Sequence, residues 1–213
     1  MRTAGLTIFA ALLTGCASAY SAAHPSPGAA SEVQRPLEQL AGQSIVVLPT
    51  QYLSFGDSLG WRGAIARRAE YLAGLDDEIG FALGERGLSR KWTFANAISR
   101  AARNNSTVIA DPHALSAESL RGHIEIEETL VEPLGSQIRS LLALGTGRFV
   151  LLPVELRTES ANGTGVAVLK LMLIDARLAK VKWIGEVKSE RLRQFSPALA
   201  ASVASRLADL IAP

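Results

Sequence analysis

Apolar residues recur along this chain with two different periods, and the change between them orders the fold. Residues 45–49, Ile-Val-Val-Leu-Pro, make a short β-branched run closed by proline. That pattern predicts a buried strand leaving its sheet at Pro49. A loop with Gly56, Asp57 and Gly60 follows. Leu72, Leu75, Ile79, Ala82 and Leu83 then recur at helical spacing up to Gly87, a residue suited to ending a helix. Asp76, Asp77 and Glu78 fall in the early turns of that helix, where carboxylates offset its dipole. They read as a solvated acidic face rather than a metal or acid–base cluster. Residues 91–94 predict a short second strand and 95–103 a second helix. Pro133 takes the first position of a third helix, with Leu134, Ile138, Leu141 and Leu142 on one face and Gly145 at its end. The stretch 106–132 has no legible period.

From residue 150 onward the period falls to two. Val150, Leu152, Val154 and Leu156 share one face of a strand, with Glu155 and Arg157 on the other. Asn162-Gly163 marks a tight turn. Residues 166–174 are almost continuously apolar, which predicts a central strand covered on both faces. A turn at 177–179 leads into an alternating strand over 181–188. Ser196 caps a last helix with Pro197 at its first position and Leu199, Val203, Leu207 and Leu210 along its apolar face. The order predicts an α/β fold, a two-layer sandwich with a mixed sheet: an N-terminal strand, helices, a three-strand antiparallel meander and a C-terminal helix.

The first residues are of another kind. Arg2 gives a positive start and residues 4–13 an apolar stretch, a secretory leader too short to span a bilayer. Leu13-Thr14-Gly15-Cys16 then resembles the lipobox of bacterial lipoproteins. The resemblance implies removal of residues 1–15 as a signal peptide and lipidation of Cys16, which becomes the first residue of the mature protein. Each buried methylene contributes about 0.8 kcal/mol, so two or more acyl chains anchor durably. Ala17 is not the aspartate that retains lipoproteins in the inner membrane of enteric bacteria, which points to the outer membrane, with the domain facing the periplasm. After Cys16 the chain is rich in Ala, Ser, Pro and Gly. Residues 16–43 are read as a flexible tether reaching about 25 Å, and 44–213 as a periplasmic α/β domain.

Charge and composition remove several function classes. The chain has 22 basic and 20 acidic residues and one cysteine. Loss of the leader removes only Arg2, leaving a nearly neutral protein without a nucleic-acid stripe or a polybasic membrane patch. With Cys16 acylated, no thiol is left for disulfides, zinc or catalysis. The sequence holds no nucleophile elbow, phosphate loop, zinc-protease helix or dinucleotide fingerprint. His113 and His123, with Asp111, Glu125, Glu127 and Glu128 nearby, form the only cluster with metal or acid–base chemistry. Their wide separation in an irregular segment is not a ligand spacing, and they read as solvated loop residues. No cofactor, metal or catalytic residue is expected. Tyr52, Phe55 and Trp61 follow the first strand and offer an aromatic partner surface, or a satellite cluster covering one end of the core.

Residues 171–177, Leu-Met-Leu-Ile-Asp-Ala-Arg, followed by 181–187, Val-Lys-Trp-Ile-Gly-Glu-Val, are similar to the "strand, D-x-R-x-G-x-V-x-W, strand" hairpin of the curli-secretion lipoprotein family and of the TolB amino-terminal domain. Residues 45–49 and 149–156 resemble the first and third strands of that family. Ala179 stands where glycine is usual in the turn. In that hairpin Asp175 can accept hydrogen bonds from turn amides, and Trp183 offers a large surface for a helix to pack on. The resemblance implies a TolB amino-terminal or anticodon-binding-like fold and an envelope role carried by protein surfaces. A pore-forming member would need extra amphipathic hairpins of roughly 9–11 residues per strand, and none is spare. The sequence therefore predicts a non-catalytic adaptor or accessory subunit in envelope assembly, secretion or transport. It would be held to the bilayer through Cys16 and would contact an envelope protein or a second copy of itself. The alternative is a periplasmic enzyme or small-ligand-binding protein using the His113 and His123 segment.

Overall fold

The computed structural model describes residues 37–56, 59–107 and 109–212. The leader, Cys16 and most of the expected tether lie outside them. The chain divides into two units, Met1–Val33 and Gln34–Pro213, and every described residue belongs to the second.

Six strands form one mixed sheet. β1 (Ile45–Val47) lies between β3 (Trp92–Thr93) and β4 (Phe149–Ala161) and runs parallel to both. β4, β5 (Thr164–Asp175) and β6 (Lys180–Lys188) form the expected antiparallel meander. A strand also lies where a loop was expected: β2 (Tyr52–Phe55) runs parallel to β4 farther along the edge that β1 occupies. The chain leaves the sheet at Pro49 and rejoins it at Tyr52. The gap faces a bulge in β4, where pairing slips between Pro153 and Glu155.

That bulge corrects the expected faces of β4. One extra residue reverses the alternation beyond it. Val150, Leu152 and Val154 enter one core, while Leu156 joins Leu151 in the other. Glu155, expected outside, is only 7% exposed.

Both faces of the sheet are covered, so the predicted two layers are three. α1 (Arg68–Glu85) and α4 (Ala198–Ile211) place Leu75, Ile79, Leu83, Leu199, Val203 and Leu207 on one face. α2 (Ala95–Asn104) and α3 (Leu134–Leu142) place Ile98, Ala102, Leu134, Ile138 and Leu141 on the other. The continuous apolar run of β5 requires this, since Leu169, Leu171 and Leu173 enter the first core and Met172 and Ile174 the second. Packing also starts before residue 44. Leu37, which precedes a short 3-10 helix (Glu38–Leu40), and Leu40, which ends it, are buried in the core of α1 and α4, inside the stretch expected to be tether.

The illegible stretch before α3 is tied down by Leu115, Ala117, Leu120 and Leu130, which sink into the second core. Its last part lies along the outer edge of β6, where the Glu127 amide donates to the Val181 carbonyl at 2.7 Å and the Leu130 amide to Ala179 at 2.8 Å. At the turn from β5 to β6, the Asp175 carboxylate accepts from the Arg177 and Leu178 amides at 3.1 and 3.2 Å. Ala179 adopts φ 52° there, the left-handed conformation that glycine takes without strain. The Trp183 ring lies over Gly185 and borders the first core. Among the described residues no helix is long and apolar enough to cross a membrane.

Candidate functional site

The break between β1 and β2 opens a cleft of about 520 Å³. Thr50, Gln51, Tyr52 and Leu53 form its floor, Arg68, Ala69 and Leu72 of α1 one wall, and His113 the other. A smaller cleft of about 330 Å³ shares His113 and is lined by Ser99, Ala102, Arg103, Ile109 and Asp111. The larger cleft lies beyond the carboxyl end of β1, between elements of opposite layers. Open α/β sheets bind ligands in crevices of this kind.

Hydrogen bonds hold the cleft open. The Gln51 amide nitrogen donates to the carbonyls of Pro49 at 2.7 Å and Pro112 at 2.9 Å, and its oxygen accepts from the Leu115 amide at 3.0 Å. One side chain thus staples the segment after α2 to the strand break. Asp76 stands beneath Thr50, and its Oδ1 accepts from the Thr50 amide at 2.9 Å and hydroxyl at 2.6 Å. The Asp76 Oδ2 is buried without a hydrogen-bond partner. Burial pushes this carboxyl up to about 6 against the pull of the two Thr50 hydrogen bonds. The predicted solvated acidic face is corrected for Asp76 alone: α1 begins at Arg68, Asp77 stays exposed, and Asp76 turns into the core at 5% exposure. A signal was present, because Leu72, Asp76, Ile79 and Leu83 keep the spacing of a single helical stripe.

His113 and His123, read as solvated loop residues, are both exposed and lie apart. Among the described residues no three His, Cys, Asp or Glu side chains come together in a group able to hold a metal. His123 is exposed. His113 pairs instead with the buried Ser99 hydroxyl, Nε2 to Oγ at 2.9 Å, and its backbone amide donates to Asp111 Oδ1 at 2.9 Å. A serine beside an imidazole is the start of a nucleophilic dyad. Here the carboxylate binds the backbone of the histidine rather than its ring, so it does not orient the base as a triad requires.

A polar network borders the cleft beyond Tyr52. The Arg121 guanidinium lies over the Tyr52 ring, 5.1 Å from its centroid, and donates to Glu155 at 2.6 and 3.0 Å and to Glu118 at 2.8 Å. Burial, then the Glu118 charge, raise the Tyr52 phenol above its ordinary range. The Lys170 ammonium caps the 3-10 helix Glu118–Arg121, donating to the carbonyls of Leu120 and Gly122 at 2.8 and 2.7 Å. Burial lowers the Lys170 pKa. The bulge in β4 is what carries Glu155 to this network. No reading of a strict two-residue period finds it.

The three aromatic candidates separate. Tyr52 and Phe55 lie half-buried in β2, and Arg68 sits over Phe55 at 5.8 Å from its ring centroid. Trp61 is not a partner surface. Its ring is 4% exposed, packs on the bare backbone of Gly165 and meets Phe195 edge-on at 5.9 Å. So large an apolar ring gains more from the core than from solvent. Cys16 lies outside the described residues.

No family model matches the chain, and no curated protein does. Among solved structures, the chain is similar to the PelC dodecamer from Paraburkholderia phytofirmans, with 12% identity, a TM-score of 0.37, and 81% of this chain and 91% of that one covered. It is also similar to lipoprotein GNA1162 from Neisseria meningitidis, with 17% identity, a TM-score of 0.34 and 78% and 96% covered. For the LpoB C-terminal domain from Salmonella enterica the identity is 15% and the TM-score 0.33, with 76% and 96% covered.

Proposed function

We propose that this chain is a lipid-anchored lipoprotein of the outer membrane whose α/β domain faces the periplasm. It acts without catalysis, as an adaptor or accessory subunit in envelope assembly, secretion or transport, through protein–protein contacts. The observation that carries this reading is the order of the sequence: a short apolar leader, Leu13-Thr14-Gly15-Cys16, a run of Ala, Ser, Pro and Gly, then a domain with a complete core. The resemblance of the hairpin around Asp175 and Trp183 to the curli-secretion lipoprotein and TolB amino-terminal families supports the same assignment, as does the Asp175 turn, which makes the hydrogen bonds that the resemblance implies. Tyr52 and Phe55, at the cleft and its rim, belong to the proposed contact surface.

The test is in-cell cross-linking of the tagged protein, followed by detergent extraction and mass spectrometry, with Cys16→Ser as the control. A small, reproducible set of envelope proteins, lost in the control, is the expected result. Recovery of the monomer alone, or the same set from the serine variant, counts against an anchored adaptor.

One observation favours a second reading, a periplasmic ligand-binding protein or enzyme: the Ser99–His113 pair opens on a cleft. If Ser99→Ala with His113→Ala reproduces the phenotype of a deletion while the protein stays folded and anchored, this reading replaces the first.

A further inference from the structure

The fold assembles one strongly basic surface that neither segment forms alone. Residues 59–71 lead into α1 and form its first turn, and residues 188–196 run from the end of β6 toward α4. Backbone and rings bind them together. Trp61 lies on Gly165, whose amide and carbonyl exchange hydrogen bonds with Leu192 at 2.7 and 2.9 Å. Phe195 then packs 5.9 Å from Trp61 and 5.8 Å from Tyr71, centroid to centroid.

Around this aromatic plug stand Arg62, Arg67, Arg68, Lys188, Arg191 and Arg193, all exposed, against only Glu70 and Glu190 among the acidic residues of the two segments. Six against two leaves an excess of four positive charges in a chain whose total is +2, so the rest of the molecule is net negative. Arg67 pairs with Glu70 at 2.5 Å. Arg68, Arg191 and Arg193 make no ion pair among the described residues. Like charges gathered within a Debye length of about 8–10 Å repel one another and lower stability, and an opposite charge brought from outside removes that cost.

We propose that this arginine-rimmed end of the domain docks an acidic segment of a partner protein, with Arg68, Arg191 and Arg193 receiving its carboxylates. The proposal rests on the adaptor reading and names the partner's chemistry. Five of the six cations are arginine, whose planar fork matches a carboxylate in two parallel hydrogen bonds. Position argues for a protein rather than the anchoring membrane. The chain enters the sheet at Ile45, which pairs with Phe149 of β4, while Gly165 pairs with Ser160 at the other end of that strand. At the rise of an extended strand those rows are about 35 Å apart, so the patch lies at the end of the sheet opposite to where the chain first enters it.

The test places a photo-cross-linking amino acid at Gln194, exposed between Arg193 and Phe195, in the full-length protein in cells. The expected product joins residue 194 to a protein peptide carrying a run of Asp and Glu. Reversal by Arg68→Glu, Arg191→Glu and Arg193→Glu lowers its yield about ten-fold or more, and changing the contacted carboxylates to lysine in the partner restores it. Circular dichroism checks the fold; if the triple reversal unfolds the domain, Arg191→Gln with Arg193→Gln gives the same reading. Cross-links to lipid alone, a contacted peptide without acidic residues, an unchanged yield on reversal, or no product overturns the proposal. Membrane fractionation of Cys16→Ser reads the anchor separately, so a failed patch and a failed lipoprotein assignment give different results.

Discussion

Two buried aspartates pull the stability of this domain in opposite directions with pH. Asp76 is raised by burial to about 6, above its unfolded value near 3.8. A raised carboxyl stabilises the fold while protonated, and that contribution is lost as pH climbs through about 4 to 6. At neutral pH the fold therefore holds an unfavourable charge. Ionising the carboxyl inside the fold costs on the order of 2–3 kcal/mol, at about 1.4 kcal/mol per tenfold change in equilibrium. Asp76→Asn, which keeps an acceptor for Thr50, is expected to raise unfolding stability by that order at pH 7.5 and to change little at pH 4; equal effects at both pH values in urea titrations would contradict it. Asp175 behaves oppositely. Burial works against its ionisation, but the Arg148 guanidinium and the turn amides outweigh burial and lower its pKa. Its stabilisation is present above the unfolded pKa and is lost as pH falls through the folded one. Asp175→Ala removes the acceptor of two turn amides and the partner of Arg148, which is half exposed and stays solvated, so a loss of about 1–3 kcal/mol at pH 7 is expected in the same titrations.

At the scale of elements, the irregular joints position the cleft. Gln51 bridges the strand break to the segment after α2 with two hydrogen bonds, to Pro112 and from Leu115, and a third holds it to Pro49. Gln51→Ala is expected to speed amide exchange at Leu115 and its neighbours by about ten-fold or more while β5 keeps its protection. Uniform protection across both would show that the staple is dispensable. Gly165 is a second joint, since a Cβ there collides with the Trp61 ring. Gly165→Ala should cost about 1–3 kcal/mol by overpacking and lower the thermal midpoint by several degrees; an unchanged midpoint would mean that the ring is free to move. The same joints mark where the sequence stops being legible. Long periodic runs predict α1, β5, β6 and α4, because one stripe or one apolar stretch must meet the core. The strand at Tyr52 is hidden by Pro49 and by alternation too short to count. Glu155 is hidden by a bulge that depends on its partner strand, and Asp76 by the prior that a carboxylate on a helix faces water. Ser99 and His113 meet only because α2 and the following segment fold back on each other.

For the whole molecule, a nearly neutral chain conceals an uneven charge distribution. Arg62, Arg67 and Arg68 are separated in sequence from Arg191 and Arg193, and only the packing of Trp61 on Gly165 and Phe195 gathers them at one end. The first described residue, Leu37, is already part of the core, and the cleft and the arginine rim are the surfaces proposed to meet a partner. Such an adaptor must first be anchored through the proposed tether. The most direct measurement is the intact mass of the protein extracted from membranes of cells that express the full chain. The expected species begins at Cys16, carries acyl chains, and is absent from the Cys16→Ser variant. A mass equal to the unmodified chain from Met1, or to a leader-cleaved chain without lipid, would contradict it.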